Sequence, residues 1–168
     1  MIIAAQRLEA GGADFILLCT NTMHKVADTI QQNIHIPLLH IVDATAEAIQ
    51  KKMLKKLGLL ATRFTMEDDF LRNRYKSKFG IETIIPDKHE REEIHRIIYD
   101  ELVRGVIKET SKQRFLEIID VLIQRGAEGI ISGCTEIELL LKPADITIEL
   151  FETIRIHAEK AVNVALEN

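Results

Sequence analysis

Two cysteines in 168 residues are too few for a disulfide framework, and nothing else marks a secreted chain. There is no basic surplus either. Lys and Arg number 22 against 26 Asp and Glu, for a formal net charge of −4. The cations are not clustered, so neither nucleic acid nor an anionic membrane surface is an expected partner. No apolar run approaches the roughly 18 residues of a membrane-spanning helix. The opening MIIAAQRLEA lacks the basic stretch of a signal peptide, so a cytoplasmic protein is expected. The phosphate-cradling patterns GxGxxG and GxxxxGKS/T do not occur, and neither do HExxH or CxxC. No positive sign of a dinucleotide, nucleotide or metal site is left. The six histidines form no tight pair with Cys or carboxylate at ligand spacing, and structural or surface roles are expected for most of them.

What is present suits a soluble globular fold: 46% hydrophobic and 29% charged residues allow a real core. The apolar period switches repeatedly between helix and strand. Ile3 to Ala10 reads as the end of an amphipathic helix, stopped by Gly11-Gly12. Strands are predicted at 15–19, 37–42, 57–61, 81–85 and 129–132, with an edge strand at 146–150. Helices are predicted over 23–32, 43–52, 66–78, 89–103, 111–125 and 153–166, with a short one at 136–141 and Asp43 placed to cap the second. Strands alternating with helices mean βαβ units and an α/β fold with a mainly parallel sheet.

In such sheets a ligand sits beyond the carboxyl ends of the strands, which directs attention to three polar loops. These are Cys19-Thr-Asn-Thr-Met-His24, Ala61-Thr-Arg-Phe-Thr65 and Gly133-Cys-Thr-Glu136. Cys134 follows a strand and opens a helix, where N-terminal amides stabilise a thiolate. A lone cysteine is more often a small buried hydrophobe, but Gly133, Thr135 and Glu136 are unusual company for an inert one. Thr20, Asn21 and Thr22 offer hydroxyls and an amide able to hold a carboxylate without Lys or Arg; closing the next helix as caps is their bland alternative. Thr62 and Thr65 read the same way.

Two of the loops arrive in similar settings. Gly12-Ala13-Asp14 precedes the first and Gly126-Ala127-Glu128 the last. An offset of 114 pairs Thr20 with Cys134, whereas 115 superposes Cys134-Thr135 on Cys19-Thr20. Either way, two related lobes facing each other across a cleft would account for the echo.

Together with Ile156-His-Ala-Glu159, these three loops resemble the aspartate/glutamate racemases, the cofactor-independent amino-acid racemases. The resemblance runs through essentially the whole chain, including Ile97-Ile-Tyr-Asp-Glu-Leu102. It implies two similar α/β lobes with the active site between them, no cofactor, and a small amino acid or carboxylate as ligand. It also implies two-base proton exchange at Cα, one thiolate taking the proton from one face and a second thiol returning one to the other. Cysteine suits this because an unperturbed thiol titrates near pH 8.5. The threonine-rich loops would stabilise the carboxylate as negative charge develops on it.

Two departures qualify that reading. The family's first loop runs Cys-Asn-Thr-x-His, which puts its first catalytic cysteine at Thr20 here. Cys19 lies one place earlier, where strand alternation turns a side chain to the other face, so a structural role is expected for it. The expected site is therefore lopsided: Cys134 the competent base, Thr20 the weak second group, and Asn21, Thr22, Thr62, Thr65, Thr135 and Glu136 binding substrate. Second, family members begin with a strand and a Gly-Gly-Met-Ser-Trp-like loop, whereas this chain starts inside a later helix. About two βα units, on the order of 60 residues, are then expected to be missing. The first lobe, 1–43 plus 146–168, would be incomplete beside a second lobe of 44–145. An open strand edge or bare apolar face would favour a homodimer or larger oligomer. The alternatives are a non-catalytic carboxylate-binding remnant, or a one-cysteine relative resembling arylmalonate decarboxylase or maleate isomerase.

Overall fold

The computed structural model describes residues 1–167. It is an α/β arrangement with two parallel sheets flanked by helices. Helix α1 (Ile2–Ala10) leads through a glycine turn to β1 (Ile16–Leu17); a 3-10 turn (Thr22–Val26), α2 (Ala27–Gln31) and β2 (Leu38–Leu39) follow. β1 and β2 pair in parallel. Beneath them lies a small cluster of Ala5, Ile16, Ile30 and Ile34. Ile3 and Leu8 of α1 are exposed, as are Met23 and Val26, and Ile3, Met23 and Val26 line an open apolar groove.

The rest of the chain builds the larger lobe. Helix α3 (Ile41–Lys51) precedes β3 (Lys56–Leu60), α4 (Arg63–Glu67), α5 (Phe70–Phe79) and β4 (Glu82–Ile84). Then come α6 (Lys88–Asp100), α7 (Glu109–Gln124), β5 (Gly129–Ser132), α8 (Ile137–Leu140), β6 (Glu149–Glu152) and α9 (Thr153–Glu167). The sheet order is β4-β3-β5-β6, all parallel. Leu57, Leu59, Leu60, Ile130 and Ile131 are fully buried at its centre. Helix α7 packs on β3 and against α6, while α3 and α9 pack on each other and on β6. Among the described residues no helix is long and apolar enough to cross a membrane.

Three local expectations differ from what forms. The strand expected at 37–42 ends after Leu39, because Ile41, Val42, Thr45, Ala46 and Ile49 repeat at helical spacing and bury one face of α3. His40, not Asp43, caps that helix by accepting from the Val42 N–H, which frees Asp43 to pair with Arg74 and Lys78. The helix expected over 66–78 breaks at Asp68-Asp69 into α4 and α5. Strand β6 also lies elsewhere than its expected place in the first lobe: it hydrogen-bonds to β5, Ile130 beside Leu150, burying Leu150 and Phe151 in the large core.

The echo is geometric at its turns. Gly12 and Gly126 both adopt left-handed backbone, φ +89° and +90°, which glycine reaches without steric cost. The Ala13 N–H donates to the Leu8 carbonyl and the Ala127 N–H to that of Leu122. Gly12 and Gly126 donate to Glu9 and Ile123 in the same way. An offset of 114 maps every one of these bonds onto its counterpart. The two polar loops thus leave their strands after the same helix–turn–strand lead-in.

Candidate active site

The loops following β1, β3 and β5 meet at the carboxyl ends of the strands, around a cleft of about 310 Å³. Thr20, Asn21 and Thr22 line it from one side, Thr62 and Thr65 from another, and Cys134, Thr135 and Glu136 from the third. All eight residues singled out from the sequence lie there, together with Gly133 and Cys19. No Lys or Arg is among the lining residues.

Each loop is held by identifiable bonds. The hydroxyls of Thr22 and Thr65 are 2.8 Å apart and those of Thr65 and Thr62 3.2 Å, a chain that crosses between the lobes. Its two bonds use two of the three hydroxyl protons, leaving one donor for a ligand. Asn21 is buried and its Nδ2 donates to Thr153 Oγ1 at 3.1 Å. Thr153 in turn donates to the Ser132 carbonyl at 2.7 Å. The first loop, the end of β5 and the start of α9 are thereby tied together by one of the two amide N–H groups of Asn21.

Cys19 is exposed and lines the cleft, contrary to the structural role expected for it. Strand alternation does not govern this position, because β1 ends at Leu17 and the chain turns sharply, the Thr20 N–H donating to the Leu18 carbonyl at 2.8 Å. Residues 19 and 20 consequently both reach the cleft.

Cys134 also differs from expectation. Its Sγ donates to Glu136 Oε2 at 3.0 Å, and the Thr135 hydroxyl donates to the same oxygen at 2.5 Å. Burial and the adjacent carboxylate push the thiol up to about 12, against a smaller downward pull from backbone N–H groups including that of Ile137. Helix α8 has only four residues, too little aligned backbone to prevail. In the free protein Cys134 is therefore a thiol, with a proton acceptor already in contact. Burial works to raise Glu136 as well, but the bonds from Cys134 and Thr135 prevail and hold it below the usual carboxylate range.

With this geometry in place, the kinship is clear. A family model described as Asp/Glu/Hydantoin racemase matches residues 1–161. The chain belongs to the Asp/Glu/Hydantoin racemase family. It is similar to the solved structure of a Yersinia pestis protein described as a candidate Asp/Glu racemase, with 49% identity and a TM-score of 0.94 over 98% of this chain and 72% of that one. An aspartate racemase homologue from Pyrococcus horikoshii OT3 gives 38% identity and a TM-score of 0.90 over the same shares. The broad specificity amino-acid racemase RacX of Bacillus subtilis is 29% identical over 170 residues, covering 99% of this chain and 71% of the relative.

Around this racemase-family cleft are residues that sequence reasoning missed. Thr153 and Ser132 had no visible signal, since their partners come from distant segments. His24, His40 and His157 are buried side by side behind the first loop, with ring centroids of His24 4.5 Å from His40 and 5.6 Å from His157. His24 and His157 carried a hint, each lying within a motif of the family resemblance, whereas His40 had none. Among the described residues no group of three or more His, Cys, Asp or Glu side chains is arranged to hold a metal ion.

Proposed function

We propose that this chain interconverts the enantiomers of an amino acid by proton exchange at Cα between Cys134 and Thr20, without a cofactor. The observation that carries the reading is that both residues line one inter-lobe cleft in which the Cys134 thiol already contacts Glu136. The substrate carboxylate accepts from the Thr22–Thr65–Thr62 hydroxyl chain and from loop amides, which stabilise the charge that develops there as the Cα–H bond breaks. The substrate ammonium, entering beside Glu136, supplies the positive charge that lowers the thiol pKa and makes Cys134 a base. The thiol proton passes to Glu136, the thiolate removes the Cα proton, and the Thr20 hydroxyl delivers a proton to the opposite face; the alkoxide so formed takes a proton back from solvent while Glu136 releases the one it holds. A threonine hydroxyl is a far weaker base than a thiolate, so the two directions are unequal.

Aspartate and glutamate are the substrates the family resemblance suggests. One observation favours a second reading of the side-chain pocket: the cleft lining contains no cation to pair with a second carboxylate, which suits neutral or varied side chains. Association into an oligomer belongs to the same proposal, because it would bury the exposed Ile3, Leu8, Met23 and Val26. Light scattering that gave a monomer would remove that part.

The test is Cα–deuterium exchange in heavy water, with both enantiomers of aspartate, glutamate and a panel of neutral amino acids. Exchange that Cys134→Ser abolishes and Cys19→Ser leaves nearly unchanged supports the mechanism. Thr20→Cys is expected to make the two directions more equal. If Cys19→Ser is the change that removes activity, Cys19 rather than Thr20 is the opposing group. Carboxylate binding in calorimetry without any exchange would leave only a binding protein.

A further inference from the structure

The loop that carries Thr20 rests on a buried histidine for which the proposed chemistry has no use. His24 is 3% exposed, and both its ring nitrogens are engaged. Nδ1 lies 2.7 Å from the Thr20 carbonyl oxygen, and the Ile41 backbone N–H donates to Nε2 at 3.1 Å. A backbone N–H can only donate, so Nε2 is unprotonated and the proton sits on Nδ1, where it is given to Thr20. Ile41 is the first residue of α3, and its amide is one of those a helix start leaves without an intrahelical partner. One neutral tautomer satisfies both bonds, and no other state of the ring does.

The consequence reaches Thr20. Its N–H is bonded to Leu18 and its carbonyl to His24, so both peptide groups flanking the residue are fixed. Only rotation about χ1 remains, and branching at Cβ restricts that to a few rotamers. The ring itself is confined. His40, whose Nδ1 accepts from Val42, packs on one side, and His157, anchored by Nε2 to the Leu39 carbonyl at 2.7 Å, on another. The charges that face His24 are Asp43 on α3 and Arg74 on α5. Burial, with His157 and Arg74, brings His24 down to about 4 against the upward pull of the Thr20 carbonyl and Asp43, so it is neutral at physiological pH.

We propose that His24 is a positioning residue for the reaction: its Nδ1–H bond to the Thr20 carbonyl sets the Thr20 hydroxyl in the cleft shared with Cys134, and the first amide of α3 selects the tautomer able to make that bond. This rests on the reading of Thr20 given above as the second proton-exchanging group.

Inversion needs both groups, whereas exchange with retention of configuration needs only Cys134. The ratio of inversion to exchange in heavy water, for the enantiomer whose Cα–H faces Cys134, therefore isolates the Thr20 side. His24→Asn keeps a donor where Nδ1 stands; His24→Gln keeps only an acceptor near Nε2 for Ile41. The Asn variant is expected to hold the ratio within about threefold of the unmodified protein, and the Gln variant to lower it about tenfold or more with KM little changed, as small misplacements of a reacting group do. Equal ratios in both variants and the unmodified protein would overturn the positioning role while leaving the racemase reading intact. No exchange by the unmodified protein with any amino acid would remove both. Should the variants not fold, nitrogen-15 NMR of the unmodified protein decides: a slowly exchanging Nδ1–H with an unprotonated Nε2 is expected for His24, and an Nε2–H tautomer or an imidazolium would refute the assignment.

Discussion

Replacing Glu136 by glutamine separates the two influences on the Cys134 thiol. Burial is the larger and remains in the variant; the hydrogen bond to the carboxylate and its charge are removed. At pH 8 a thiol near 12 is ionised in about one molecule in 10⁴, whereas an unperturbed thiol is ionised in roughly one in four. Because burial persists, Glu136→Gln is expected to recover only part of that gap. A fall of about one pKa unit, worth about 1.4 kcal/mol, would raise the thiolate fraction about tenfold. The assay is the rate of iodoacetamide alkylation of Cys134 against pH, in a Cys19→Ser background so that a single thiol reports. The profile should move to lower pH by about one unit or more, while Cα exchange falls because the carboxylate that accepts the thiol proton is gone. An unchanged or rising profile would refute the argument, since the carboxylate would then not be what keeps the proton on sulfur.

Three other perturbations test the surrounding structure. Asn21→Asp should destabilise more than Asn21→Ala, by about 2–4 against about 1–3 kcal/mol in urea unfolding at pH 7, because the Thr153 hydroxyl proton is already spent on Ser132 and a carboxylate would meet a lone pair; equal losses would contradict this. Acidification should weaken the fold between pH 6.5 and 4.5. His24 and His40 are brought down to about 4 and about 3, by burial first, and His157 is lowered for the same reason. Unfolded imidazoles take up protons from about pH 6.5 downward while the folded ones do not, so stability present above 6.5 is lost as pH falls, at up to about 1.4 kcal/mol per pH unit per histidine. A flat stability profile over that window would overturn the neutral-cluster reading. Gly129→Ala should cost about 1–3 kcal/mol, since an added Cβ would sit 2.8 Å from Leu57 Cδ1 and 3.1 Å from the immovable Glu149 carbonyl; thermal unfolding measures it.

Features written in short stretches of sequence were legible without the structure. The alternation of apolar runs with helical periods established an α/β fold, and the Gly-Ala-acidic turns at 12–14 and 126–128 exposed the repeated lead-in because a left-handed turn is a local demand that glycine meets. The three polar loops could be found because strand ends in parallel sheets are where polar residues have a reason to follow apolar ones. One local signal went unused: Asp87 and Glu90 form a reciprocal capping box at the start of α6, with bonds of 3.0 and 2.9 Å.

Everything that depended on a partner far along the chain needed the tertiary structure. Asn21 meets Thr153 across 132 positions and His157 meets Leu39 across 118, and no periodicity encodes such pairs. The sheet that takes β6 is decided by which core can bury Leu150 and Phe151. Cys19 reaches the cleft because the chain turns at Thr20, and Cys134 keeps its proton because folding removes water from the thiol and sets a carboxylate against it. By itself the sequence pointed to the three polar loops that gather at the cleft. Only the tertiary structure decided their protonation and their neighbours, because desolvation and charge act through space and the partners that exert them arrive from the other end of the chain.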